Sequence, residues 1–131
     1  MKCKMYNVEC IMMHNRSQSN AIQEKSYSFA LRIFKANQFL IRKNEFVLSR
    51  QLLRSGTSIG ANVEEAIHAQ SKAEFIAKMQ ISIKEAFETD YWIRLFRDGG
   101  LFTKTQASSL LNDVQELQKL LTAIIKSAKR R

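Results

Sequence analysis

Proline is absent from this chain of 131 residues, and glycine occurs only four times. A β-rich domain of this length would need more turn-forming residues, so the chain is predicted to be all-helical. Cysteine is scarce too: Cys3 and Cys10, both near the N-terminus, make no disulfide framework. No apolar run approaches the roughly 18 residues of a membrane span. Lys2, Lys4 and Glu9 interrupt what would be a secretory core after Met1, which leaves a cytoplasmic protein as the expectation. Familiar catalytic motifs are missing as well. There is no Gly-x-Ser-x-Gly, no paired-histidine metal motif and no nucleotide-cradling loop. His14 and His68 have no identifiable partners, and Glu88 and Asp90, two residues apart, point to different helix faces. A non-enzymatic protein without cofactor or metal is the expectation.

What is present is ordinary in composition and unusual in charge. Hydrophobic residues make up 45% and charged residues 25%, the proportions of a soluble globular domain with one core. The net charge is +9 and unevenly spread. Residues 1–63 hold ten Lys/Arg against three Asp/Glu, residues 64–125 hold seven against nine, and the last six residues add four cations. Such a balance favours a polyanionic partner, nucleic acid foremost.

Residues 1–19 show no sustained periodicity and are expected to form a loose leader ahead of a bundle domain spanning 20–131. Cys3, Cys10 and His14 fall in that leader, but their spacing matches no structural zinc pattern. The first helix is predicted from about Asn20 to Arg42, with Ile22, Phe29, Ile33, Ala36 and Leu40 on one face. Tyr27, Ala30, Phe34 and Ile41 make a second apolar strip about 100° around the axis. An arc this wide suggests that Tyr27, Phe34 and Ile41 meet another subunit.

Asn44 is a candidate cap for the second helix, predicted to run to about Ile67. Its middle, Arg54-Ser55-Gly56-Thr57-Ser58-Ile59-Gly60-Ala61-Asn62, carries two glycines inside a helical pattern. Each costs a helix interior about 0.8–1 kcal/mol relative to alanine, which is sensible where a neighbouring backbone must come close. Apolar or small residues Leu48, Leu52, Gly56, Ile59, Val63 and Ile67 form one stripe, and Arg54, Ser58, Asn62 and Glu65 form a polar line beside it. The other helices are expected to crowd around this one.

Ser71-Lys72-Ala73-Glu74 reads as a capping box, and Gly99-Gly100 as the stop of the third helix. Phe75, Ile76, Met79, Ile83, Ala86 and Ile93 are its predicted core face. Asp90 shares that face and needs a cationic partner, with Arg54 and Arg97 as candidates. Ile81, Trp92, Leu95 and Phe96 form a far-side patch, of which Trp92 and Phe96 are candidate interface residues. Thr103-Lys104-Thr105-Gln106 opens the last helix, where Leu110, Val114, Leu117, Leu121, Ile124 and Ala128 repeat almost as in a coiled coil. Four helices of this length joined by short links imply an up-down-up-down antiparallel four-helix bundle.

The run from Glu45 to Ala66, and later Lys84-Glu85-Ala86-Phe87-Glu88-Thr89-Asp90-Tyr91-Trp92-Ile93-Arg94-Leu95, resemble the signature of the 23S rRNA-intervening-sequence proteins, also called S23-type ribosomal proteins. The similarity covers about Lys25 to Lys129. It implies a compact bundle that assembles into a pentameric ring. The accessory protein of diversity-generating retroelements, a basic barrel-like pentamer that binds nucleic acid beside a reverse transcriptase, is similar. The family's name reflects where its genes lie and does not by itself imply a ribosomal role. The signature positions Arg54, Ser55, Gly56, Ser58, Gly60, Asn62, Glu65 and Asp90 are implied to be structural or interfacial rather than catalytic.

The expected function is therefore a non-enzymatic oligomer that binds nucleic acid through phosphates, using Lys25, Arg32, Lys43, Arg50, Arg54, Lys126, Lys129, Arg130 and Arg131. The alternative is a protein-interaction scaffold or accessory factor whose charge steers an acidic or RNA-bound partner.

Overall fold

The computed structural model describes the backbone of residues 16–131 and side chains from Asn20 onward. Cys3, Cys10 and His14 lie outside the described residues. Four helices account for nearly all of what is described: α1 (Arg16–Arg42), α2 (Leu48–Ile67), α3 (Lys72–Asp98) and α4 (Lys104–Lys129). Helix α1 begins at Arg16, four residues before the expected Asn20.

The direction of each helix follows from its cross-contacts. Lys25, Arg32 and Phe39 of α1 meet Glu116, Asp113 and Phe102 in reverse chain order. Ser55, Ile59 and Glu65 of α2 meet Thr89, Ser82 and Lys78 of α3 likewise. Each helix packs on its chain neighbours, and α1 closes on α4 through the slightest of the four interfaces. The result is an antiparallel four-helix bundle.

Local chemistry explains where each helix starts and stops. Asn44 does not cap α2; it ends α1. Its φ of 65° is left-handed, a conformation asparagine tolerates better than most residues. The turn lets Glu45 N–H donate back to the Leu40 carbonyl at 2.9 Å, closing the helix end in the manner of a Schellman motif. The Glu45 carboxylate then accepts the Leu48 N–H at 2.9 Å and supplies the cap of α2. Ser71 caps α3 by accepting the Glu74 N–H at 3.1 Å, while the Glu74 carboxylate reaches back to Gln70 N–H instead of to the cap residue. Thr103 and Gln106 complete a reciprocal capping box at α4.

The core runs the length of the bundle. Ile22, Phe29, Ile33 and Leu40 of α1 face Leu52, Ile59, Val63 and Ala66 of α2, with Phe75, Met79, Ala86 and Ile93 of α3 opposite. All six predicted core positions of α4, from Leu110 to Ala128, are buried. Helix α3 departs from expectation. Ile76 and Ile83 sit at the edge of the core, and Ser82 and Thr89 are wholly buried in their place.

Phe96 also corrects the sequence reading. It is only 2% exposed and is therefore no surface anchor. Gly100, at φ 85°, turns the chain so that the Leu101 and Phe102 N–H groups both donate to the Phe96 carbonyl. Phe102 folds inward between Phe39 and Phe96, with ring centroids 6.3 and 5.4 Å away. Burying one such ring contributes about 2–3 kcal/mol. The Phe102 ring packs against Phe96 and shares the core with it.

Helix α2 is where the packing is tightest. Gly56 faces Ile33 of α1, and Gly60 faces the side chain and backbone of Ser26. On the α3 side, the Ser82 hydroxyl donates to the Ile59 carbonyl at 2.8 Å, and the Ser55 and Thr89 hydroxyls are hydrogen-bonded at 2.9 Å. Small residues thus let α2 approach two neighbours at once.

Candidate nucleic-acid interface

The cations proposed from the sequence divide into two groups. In the first group, the charge is neutralised within the bundle. Lys25 pairs with Glu116 at 2.6 Å, and Arg32 pairs with Asp113 while also donating to the Ser109 carbonyl and hydroxyl. Both stitch α1 to α4. Arg54 bridges from α2 to Glu85 and Glu88 of α3, and Trp92 Nε1–H donates to the same Glu88 carboxylate at 3.0 Å. These three residues join helices, so little of their charge is left for a phosphate.

The rest of the signature is likewise held from within. The Ser58 hydroxyl donates to the Arg54 carbonyl, Asn62 donates to the Ser58 carbonyl, and Glu65 pairs with Lys78 at 2.9 Å. Asp90 finds neither Arg54 nor Arg97 as its hydrogen-bonded partner. Arg94, one turn on, holds it at 2.8 Å, and Gln118 of α4 donates to its other oxygen at 3.1 Å. Burial raises the Glu88 pKa, but the Trp92 N–H and the Arg54 guanidinium outweigh it and leave the carboxyl below the usual glutamate range. Arg54 is pushed up in turn, chiefly by its hydrogen bond to Glu88.

The second group is exposed, apart from Arg131, whose Nε is buried, and it does not form one surface. Lys43 and Arg50 lie where α1 ends and α2 begins, with the Lys43 ammonium 5.5 Å from the Phe39 ring centre. Lys126, Lys129, Arg130 and Arg131 lie at the far end of α4, about 39 Å away along a 26-residue helix. Antiparallel topology keeps them apart.

At that far end the structure assembles something the sequence reading missed. A cleft of about 680 Å³ between α3 and α4 is lined by Phe87 on one side and by Lys119, Thr122, Lys126 and Arg130 on the other. A second cleft of about 450 Å³ shares Thr122 and Lys126 and adds Lys84. Among the described residues, no carboxylate lines either one. The nearest α4 acids, Asp113 and Glu116, are turned toward α1 by Arg32 and Lys25. Lys84, Lys119 and Lys126 make no ion pair among the described residues. Asp90, which accepts from the cleft residue Gln118, is already paired with Arg94, so the lining cations give the clefts a positive potential suited to an anion. The available signal was Lys119, Lys126 and Arg130 at i, i+7 and i+11, one acid-free face of a helix.

The proposed interface residues also divide. Tyr27 and Phe34 are 67% and 50% exposed, and with Leu31 and Ile41 they form an outward apolar stripe on α1 at spacings of four, three and seven residues. Trp92 is half-buried and Phe96 is in the core. No helix among the described residues is long and apolar enough to cross a membrane.

Compared with known proteins, residues 18–123 match the family model described as 23S rRNA-intervening sequence protein. The chain belongs to that family. It is also similar to a crystal structure, at 1.70 Å resolution, of a protein of unknown function from the S23 ribosomal protein family of Bacteroides thetaiotaomicron VPI-5482. The two are 49% identical with a TM-score of 0.82, over 83% of this chain and 98% of the other. Comparison with curated proteins finds no match.

Proposed function

We propose that this family member is a non-catalytic, self-associating cytoplasmic protein that binds nucleic acid mainly through phosphate contacts. The observation that carries this reading is the pair of adjoining clefts between α3 and α4, neither lined by a carboxylate, the first holding Lys119, Lys126 and Arg130 and the second Lys84 and Lys126. Cations so placed displace condensed counterions from a phosphate backbone, and affinity gained that way falls steeply with salt. Phosphate contacts alone carry little sequence preference. The exposed stripe of Tyr27, Leu31, Phe34 and Ile41 supports association of copies, which would multiply the cationic clefts.

The test is equilibrium binding of labelled RNA and DNA across salt, with and without Lys119→Glu and Lys126→Glu. Tight binding at about 50 mM salt, weakening steeply toward about 200 mM and abolished by the two substitutions, is expected. Affinity indifferent to salt, or no binding at the lower concentration, overturns the reading.

A second reading, a protein-interaction scaffold, draws on the same α1 stripe. Capture of one partner that survives nuclease treatment and is lost in Phe34→Glu would favour it over the first.

A further inference from the structure

Phe87 stands apart from the cations around it. It is an aromatic ring on the surface of α3, 55% exposed, with no stacking partner among the described aromatic pairs. Lys84 precedes it by three residues and therefore lies one turn away on the same helix face. Across the cleft stand Lys119, Lys126 and Arg130 of α4, spaced over three turns. An exposed ring flanked by cations that run along its groove has the two properties of a single-strand platform: a face for a base and charges for the phosphates beside it.

We infer that the α3–α4 cleft takes single-stranded nucleic acid, one base lying on Phe87 and the neighbouring phosphates on Lys119, Lys126 and Arg130, with Lys84 beyond. This rests on the polyanion-binding reading above and narrows its ligand class. A duplex keeps its base faces inside the stack and offers only edges and phosphates, so Phe87 would have nothing to cover it. A strand with unstacked bases covers the ring and loses no pairing in doing so. Stacking is indifferent to base identity, because every base has a π-face. The cleft of about 680 Å³ lies within the range that holds a small organic ligand.

The experiment compares oligouridine and oligothymidine, each on the order of ten nucleotides, with a duplex of matched phosphate number. Wild type, Phe87→Ala, Phe87→Trp and Lys126→Ala are measured by fluorescence anisotropy, and the solution mass of each is recorded. Phe87→Ala is expected to weaken single-strand binding roughly tenfold, to leave duplex binding and the salt slope unchanged, and to keep the wild-type mass. Phe87→Trp retains or tightens binding, and Lys126→Ala lowers the salt slope by about one, the share of a single phosphate. Equal affinity for strand and duplex, with Phe87→Ala silent, overturns the single-strand inference while salt-dependent binding sustains the broader reading. Binding of neither probe overturns both. A change of mass in Phe87→Ala that weakens both probes alike assigns the ring to a subunit interface and overturns the inference.

Discussion

Gly56 of α2 lies so close to Ile33 of α1 that a Cβ on the glycine would fall 2.7 Å from both Cγ atoms of the isoleucine. Ile33 is wholly buried and β-branched, so neither atom can swing away cheaply. Alanine at position 56 would gain about 1 kcal/mol of helix propensity and lose more to overpacking. The expected outcome for Gly56→Ala is a net destabilisation of about 1–2 kcal/mol in urea unfolding. Combining it with Ile33→Ala should cost less than the sum of the two, a favourable coupling of about 1 kcal/mol. Strict additivity would mean the two side chains do not compete for space.

The wholly buried hydroxyls of Ser55 and Thr89 bind one another across the α2–α3 contact. Thr89→Val keeps the shape and removes the hydroxyl, so a loss of about 1 kcal/mol is expected. Ser55→Ala with Thr89→Val should cost less than the sum of the two single changes, because the hydrogen bond they share is lost only once. A double variant no better than the simple sum would point to packing rather than to the hydrogen bond.

Acid should loosen the α2–α3 contact through Glu88. Its folded pKa is depressed, so its contribution is fully present above the unfolded value of about 4.3 and is lost as pH falls through the folded one. The side chain is 35% exposed, and solvent and salt keep the effect modest. The stability gap between wild type and Glu88→Gln should be widest near neutral pH and close below about pH 4. Denaturation curves at stepped pH measure it, and a gap constant from neutral to about pH 3 would contradict the assignment.

Self-association through the α1 stripe should be sensitive at Phe34. This residue is half exposed, so Phe34→Glu leaves the monomer core intact while placing a charge within an apolar surface. Light scattering should then report a lower mass than wild type with unchanged helicity. An unaltered mass would remove the stripe as a subunit interface.

Helix number, order and most of the core were legible in the sequence because periodicity and capping are local. The Thr103–Gln106 box and the six buried positions of α4 needed nothing beyond spacing. Asn44 is ambiguous in sequence because a residue able to start a helix is equally able to end one, and its positive φ depends on what precedes it. Phe96 and the partners of Asp90 depend on tertiary neighbours: the inward fold of Phe102 in one case, Gln118 of α4 in the other. The candidate site was legible only in part. Lys126 and Arg130 stand out within a terminal basic run, whereas Lys84, Phe87 and Lys119 gain meaning only once α3 and α4 lie side by side. Lys25 and Arg32 look free in one dimension because their acidic partners are more than eighty residues away.

Lys43 and Arg50 sit a full helix length from the basic C-terminal run. At physiological ionic strength the Debye length is about 8 Å, so neither end feels the other's potential. Charge removal at the two ends should accordingly act independently, with free-energy effects on polyanion affinity that simply sum.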